Sequence, residues 1–200
     1  MKRIVFLLEE RSMRVLLEGM LPRVFPGLEF LCIPHEGKQD LEKSVPRKLR
    51  AWREPGVRFV VVRDNDAADC VMVKNRLLGL CDKGSRPDTL VRIACQELEA
   101  WYFGEPGAIA TGFGRPELRN LDERATYRDA DSIVNPSAEL KRLVPEFQKI
   151  SGGRLMASRL SPENNRSSSF LNFVLGVDRI FKEMTMNEPE TDAPPSEGGP

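Results

Sequence analysis

Asp64 and Asp66 stand two positions apart at the end of VRFVVVRDND, residues 57–66. If the strand continues through them, their carboxylates lean to the same side of its carboxyl end. Two acids so placed repel one another and favour protonation unless a cation holds them ionised, and oxygen-rich sites suit magnesium, manganese or calcium. The plainer use of the same residues is a solvated Asp-Asn-Asp turn that caps the next helix. Two other pairs occupy comparable places. Glu9 and Glu10 follow the apolar run 4–8, and Glu97 and Glu99 repeat the i, i+2 spacing after the run 90–95. His35, the only histidine, and Lys38 fall in PHEGK, where His35 either meets a phosphate or moves a proton, or is a simple loop residue.

These acids need a scaffold that gathers them. Phe59 to Val62 is unbroken and apolar, as expected of a strand buried on both faces of a parallel sheet. Strands are also expected over Arg3–Leu8, Leu28–Ile33 and Leu90–Cys95, with helical spacing between them. The first helix, with Ser12 as its expected N-cap, should stop near Pro22; Pro46 should divide the second into two short ones; the third should span Ala67–Cys81. Alternation of this kind predicts an α/β fold with right-handed crossovers and a mostly parallel sheet flanked by helices. Such sheets bind ligands in the crevice at the carboxyl ends of the strands. Three strand ends out of four carrying acids therefore favours a shared pocket over scattered surface charge.

Beyond Phe103 the pattern weakens. Residues 104–137 read as an irregular insertion, a short helix is expected over 136–144, and Phe170, Val174, Val177, Phe181 and Met184 share one face of a closing helix. One domain over residues 1–184 is expected, followed by an acidic, Pro/Gly-rich, disordered tail over 185–200. That tail holds four acids and no base, which leaves 30 bases against 26 acids elsewhere, a net of +4. Such a balance permits nucleic-acid binding without requiring it, and Arg47, Lys48, Arg50 and Arg53 form a run that fits either a phosphate backbone or a solvated helix face. No apolar stretch is long enough to cross a bilayer, and the charged start MKRIVFLLEERS does not read as a secretory signal, so a cytoplasmic location is expected. Cys32, Cys70, Cys81 and Cys95 lie singly among apolar residues and read as buried, reduced thiols. Trp52, Trp101 and Tyr102 read as core or rim aromatics.

An acid after the first strand, Glu9, and an Asp-x-Asp after a later one, Asp64 and Asp66, resemble the Toprim domain of topoisomerases, primases and related nucleases. The segments LLEERSM, PHEGKQDL, VVVRDNDAADC and QELEAWYF are similar to the motifs of the domain-of-unknown-function 4276 family, a Toprim-like group of bacterial proteins. The resemblance implies a Toprim-like (Rossmannoid) core with an added C-terminal helical region. Nucleases named for overcoming lysogenization defect share that core and add an acid one turn after the first Glu, a later acid and a distal Lys. Here Met13 holds the turn-later position, Glu99 or Glu97 matches the later acid, and Lys149 matches the Lys.

What the resemblance implies is a magnesium- or manganese-dependent nuclease acting on DNA or RNA, with a use in phage defence. Glu9, Asp64 and Asp66 would hold the metal, Glu9 could instead act as general acid or base, and Lys149 would stabilise charge on the phosphate. A second possibility is a non-catalytic subunit that binds nucleic acid or phosphate beside a partner ATPase, since Met13 replaces an acid and no Gly-x-x-x-x-Gly-Lys-Ser/Thr loop is present. A receiver-like signalling domain is a third.

Overall fold

The computed structural model describes residues 2–186. Four strands, β1 (Arg3–Leu8), β2 (Phe30–Pro34), β3 (Val57–Asp64) and β4 (Leu90–Ala94), form one sheet in the order β2-β1-β3-β4. Every neighbouring pair is parallel. β3 is central and buried along most of its length, which is why it reads as a continuous apolar run rather than an alternating one.

Helices cover both faces. Val5, Leu7, Phe59 and Val61 pack against α2 (Lys38–Ala51) and α3 (Cys70–Lys83) on one side. Ile4, Phe6, Leu8, Val60 and Val62 face the larger layer, which contains α1 (Arg11–Val24), α4 (Glu99–Phe103), α5 (Pro106–Gly112), α6 (Pro136–Leu143), α7 (Lys149–Ala157) and α8 (Ser168–Met186).

Several boundaries differ from those the sequence predicts. β2 begins at Phe30 and runs through Pro34. Pro22 lies inside α1, and Pro46 lies inside α2, which is one helix and not two. Neither proline is buried, so a carbonyl it leaves without an amide partner can turn to water. Glu10, not Ser12, is the N-cap of α1. α3 starts three residues later than the spacing suggests, because Asp69 caps it by accepting from Met72 N at 2.8 Å. The cap of the helix after β3 is therefore neither Asp64 nor Asp66.

The stretch 104–137 is ordered on the core. It contains α5 and four 3-10 turns, and it buries Leu118, Leu121, Tyr127, Ala130 and Ile133. Tyr127 stacks on Phe103 with ring centroids 5.5 Å apart. α8 extends through Met186, two residues past the expected domain limit, and the remainder of the expected tail lies outside the described residues.

Gly152 and Gly153 sit inside α7. A Cβ at Gly153 would lie 3.2 Å from Ser12 O, and one at Gly19 would lie 2.7 Å from the Ala157 methyl. Glycine at these two positions lets α1 and α7 approach almost backbone to backbone, and that contact brings the start of α7 beside the start of α1.

Candidate functional site

Strand order reverses between β1 and β3, and in an open parallel sheet the crevice at such a point is the usual ligand site. The register there decides which acids meet. Phe6 pairs with Val60 and Leu8 with Val62, so continuing the ladder sets Glu10 level with Asp64 and Glu9 level with Arg63. The side chains follow that parity. Glu9 Oε2 is 3.8 Å from Arg63 Nε, while Glu10 lies against Lys149, whose Nζ is 3.3 Å and 3.4 Å from its two carboxylate oxygens. Ser12 donates its hydroxyl to Glu10 as well.

Asp64, the last residue of β3, is only 4% exposed, and its Oδ1 has no hydrogen-bond partner. Its main-chain N–H donates to Glu9 Oε2 at 3.0 Å. Glu99, the first residue of α4, is fully buried, and neither of its carboxylate oxygens has a partner. The hydroxyl of Tyr102, one turn on, is also buried without one. Buried polar groups are nearly always paired, so orphaned oxygens on two carboxylates at one sheet edge need an explanation.

The electrostatics fit a crowded, dry cluster. Burial pushes Asp64 well above the usual carboxylate range, and the charges of Glu9, Glu99 and Glu10 push it further. Burial lifts Glu99 to about 7 against the pull of Lys149. Glu9 is also raised by burial, with the Asp64 N–H opposing. Tyr102 is raised by burial and by Glu99, Glu10 and Asp64. Burial works against the charge of Lys149, but Glu99, Glu10, Asp64 and Glu97 outweigh it and hold the ammonium protonated. One cation thus answers several anions. Two unpartnered carboxylates that would each rather be protonated form an all-oxygen donor set, which suits magnesium or manganese. Among the described residues no three His, Cys, Asp or Glu side chains are grouped as ready metal ligands.

The other expected site residues are placed differently. Asp66 carries its carboxylate to Lys38, 2.9 Å away and exposed, so this pair forms a rim rather than a floor. Asp66, Ala67 and Gln96 have left-handed backbone, at φ 49°, 61° and 63°, and the loops that carry them are joined by Asp66 N donating to Gln96 O at 3.1 Å. Strained non-glycine backbone of this kind is concentrated at functional sites. Glu97 accepts from Ser137 N at 2.7 Å in the first turn of α6, an interaction that anchors a helix.

His35 is buried and sits apart from the orphaned oxygens. Its Nδ1 is 2.8 Å from Leu8 O and its Nε2 is 2.9 Å from Ser44 Oγ. The carbonyl can only accept, so in the neutral ring Nδ1 donates and Nε2 accepts from the Ser44 hydroxyl. Burial lowers the pKa of the ring and favours that neutral form. The residue ties β1 to α2.

A cleft of about 500 Å³ opens beside Lys149, lined by Glu97, Asn135, Ser137, Lys141 and Gln148 among others. A smaller one of about 130 Å³, lined by Asp66, Gln96, Glu97 and Asn135, continues it. Arg47, Arg50 and Arg53 are exposed on or just beyond α2, away from this cleft's lining.

Sequence reasoning missed Tyr102, taken only as a core aromatic, and undervalued Glu10. The signal for Glu10 was its even spacing from Phe6 and Leu8, which becomes informative once β3 is known to lie in register beside β1.

A model for a family described as a domain of unknown function (DUF4276) matches residues 8–178. No curated protein matches the chain. Among solved structures, the C-terminal region of the Burkholderia pseudomallei OLD protein is similar with a TM-score of 0.53 at 16% identity, covering 92% of this chain and 99% of that one. The C-terminal region of the Xanthomonas campestris pv. campestris OLD protein, in the structure phased with iodine, gives a TM-score of 0.53 at 16% identity, covering 92% of this chain and 98% of that one.

Proposed function

The chain belongs to the DUF4276 family and has a Toprim-like α/β fold, and we propose that it is a divalent-cation-dependent phosphodiesterase that cleaves DNA or RNA. The observation that carries this reading is the pair of orphaned, buried carboxylates, Asp64 and Glu99, beside the protonated Lys149. Asp64 and Glu99 would hold the cation, with Glu9 and Glu10 close enough to add charge. Magnesium or manganese, when bound, supplies a Lewis acid that polarises the phosphodiester and acidifies a water.

The chain's own groups do the rest. Lys149 balances the acids and offers Nζ to a phosphate oxygen from the wall of the cleft. Glu9 fixes the end of β3 through the Asp64 N–H. Burial and the charges of Glu99, Glu10 and Asp64 keep the Tyr102 hydroxyl protonated, an unpartnered donor beside the acids. The Lys38–Asp66 pair, exposed at the rim, would then meet the next phosphate along a strand. No described helix is long and apolar enough to cross a membrane, and the proposed setting is the cytoplasm, with phage defence as the role the family resemblance suggests.

Purified protein with magnesium or manganese and labelled single- and double-stranded DNA or RNA is the test. Cleavage should vanish on chelation and in Asp64→Ala; full cleavage by that variant removes the assignment. A second reading, a non-catalytic nucleic-acid-binding subunit that serves a partner ATPase, is favoured by one observation. Met13, at the position where the resemblance leads one to expect an acid, is fully buried in the core. Binding that survives chelation, with no cleavage under any cation, would select it.

A further inference from the structure

The thiols of Cys70 and Cys95 lie 3.7 Å apart, half-buried and within hydrogen-bond reach of one another but not joined by a disulfide, which departs from the expectation of four isolated cysteines. Cys70 opens α3, just after the loop that follows Asp64. Cys95 follows β4 and precedes the segment that leads to Glu99. The two loops are already tied, Asn65 N to Ala94 O at 3.3 Å and Asp66 N to Gln96 O at 3.1 Å. Each sulfur therefore rides on braced backbone, and only a short closure separates them from the disulfide length of about 2.05 Å.

Both sulfurs open onto a cleft of about 580 Å³ between α3, the free edge of β4 and α8. Lys74 and Arg92 line it. The single acid in its wall, Asp131, is committed to Ser167 and Ser169 through hydrogen bonds of 2.7 to 2.9 Å. Arg92 is likewise held, by Asn172 O and Val91 O, so the lining carries a net charge of +1, with Lys74 as the cation for which no bond to the protein is seen among the described residues.

We propose that Cys70 and Cys95 form an exchange site for a small anionic disulfide of the glutathione type, which leaves behind an internal Cys70–Cys95 bond. The Cys70 thiolate attacks one sulfur of the small disulfide, whose S–S bond breaks and releases one thiol. Cys95 gives its proton to solvent and attacks the Cys70 sulfur, which forms the internal bond and expels the second thiol. Two protein thiols are oxidised and one disulfide is reduced to two thiols. Cys70 leads because it stands in the first turn of α3 beside the solvent-exposed Val71 and Met72, whereas Cys95 follows the buried end of β4. In a reducing compartment such a bond is transient and serves as a sensor rather than a brace. It would staple the loop after β3 to the loop after β4, and so act on the spacing of Asp64 and Glu99 without touching either.

The test is independent of any cleavage activity. Full-length protein treated with oxidised glutathione should lose two hydrogens in intact mass, and a tryptic digest should join peptide 64–74 to peptide 93–119. Dithiothreitol should reverse both changes. In Cys95→Ser, with no resolving thiol, a glutathione adduct should persist on Cys70, while Cys70→Ser should react at most slowly. Cys32 and Cys81, 5% and 0% exposed, should stay reduced. A persistent adduct on Cys70 in the parent protein, a link through Cys32 or Cys81 or between two chains, or no reaction at all would each overturn the proposal.

Discussion

The carboxylate of Glu9 accepts a hydrogen bond from the main-chain N–H of Asp64 at 3.0 Å, and this bond fixes where β3 ends. A positioning role then predicts a split between two substitutions. Glu9→Gln keeps an oxygen for the Asp64 N–H and should retain most of the cleavage rate. Glu9→Ala leaves the N–H orphaned, which should cost roughly 1–3 kcal/mol of stability and much of the activity. Equal and complete loss in both variants, measured by cleavage rate and urea unfolding, would make Glu9 a ligand instead.

Cation binding should be visible without any substrate. A cation present at about one hundred times its dissociation constant adds about 2.7 kcal/mol of stability, so magnesium or manganese should raise the melting temperature of the parent protein. Asp64→Asn should lose that increment while being more stable than the parent in chelator, because like charge has been removed from a buried cluster. An undiminished rise in Asp64→Asn, followed by differential scanning fluorimetry, would place the cation elsewhere.

Glu99 sets a pH dependence with a definite sign. Its pKa is about 7 when folded against an ordinary value of 4.5, so the folded state binds the proton more tightly. Its contribution is fully favourable below about pH 4.5 and declines as pH rises towards 7. Glu99→Gln should remove that decline and be more stable at pH 8 by on the order of 3 kcal/mol in the absence of cation. Parallel urea titrations of parent and variant at pH 5 and 8 check it; identical pH profiles would contradict the burial argument.

His35 should behave as structure. His35→Phe removes the ring's bonds to Leu8 O and the Ser44 hydroxyl, but Leu8 O keeps the His35 main-chain N–H and Ser44 Oγ keeps Lys48 Nζ, so the cost should be roughly 1 kcal/mol with the cleavage rate per folded molecule unchanged. Since burial holds the folded pKa of the ring below its ordinary 6.5, the unfolded chain takes up the proton first. Parent stability should therefore fall as pH drops below that value, and this component should be missing in the variant. A selective loss of rate in well-folded His35→Phe would return the histidine to the site.

Loss of Lys149 should be felt in rate and, through the acids it balances, in stability. Lys149→Met keeps much of the side-chain volume but removes the charge, and a drop of about 10²–10³-fold in rate is expected, the range for removing one group that stabilises developing charge. Retained rate with weakened binding in salt titrations would confine the lysine to general attraction of nucleic acid.

The layered architecture could be read from the sequence because β1, β3 and β4 are short apolar runs with helical spacing between them. The acids at their ends were readable for the same reason. What could not be read is register: whether Glu9 or Glu10 stands beside Asp64 depends on a one-residue choice in strand pairing that reverses every side chain. Pro22 and Pro46 misled because the rule against helical proline assumes a carbonyl with nowhere to turn. α7 is not foreseen in the sequence: its glycine pair lowers helix propensity, and contact with α1, a term local spacing does not contain, outweighs that loss. Cys70 and Cys95, 25 positions apart, meet only once the sheet is assembled.

Lys149 and Glu10 are separated by 139 positions along the chain, and only the glycine-lined seam between α1 and α7 brings them together. A chain still emerging from the ribosome can fold its sheet and set out its acids long before that lysine arrives. The acids of the sheet edge can therefore be laid out before the lysine that balances them is in place, so the pocket acquires that cation only when α7 packs on α1.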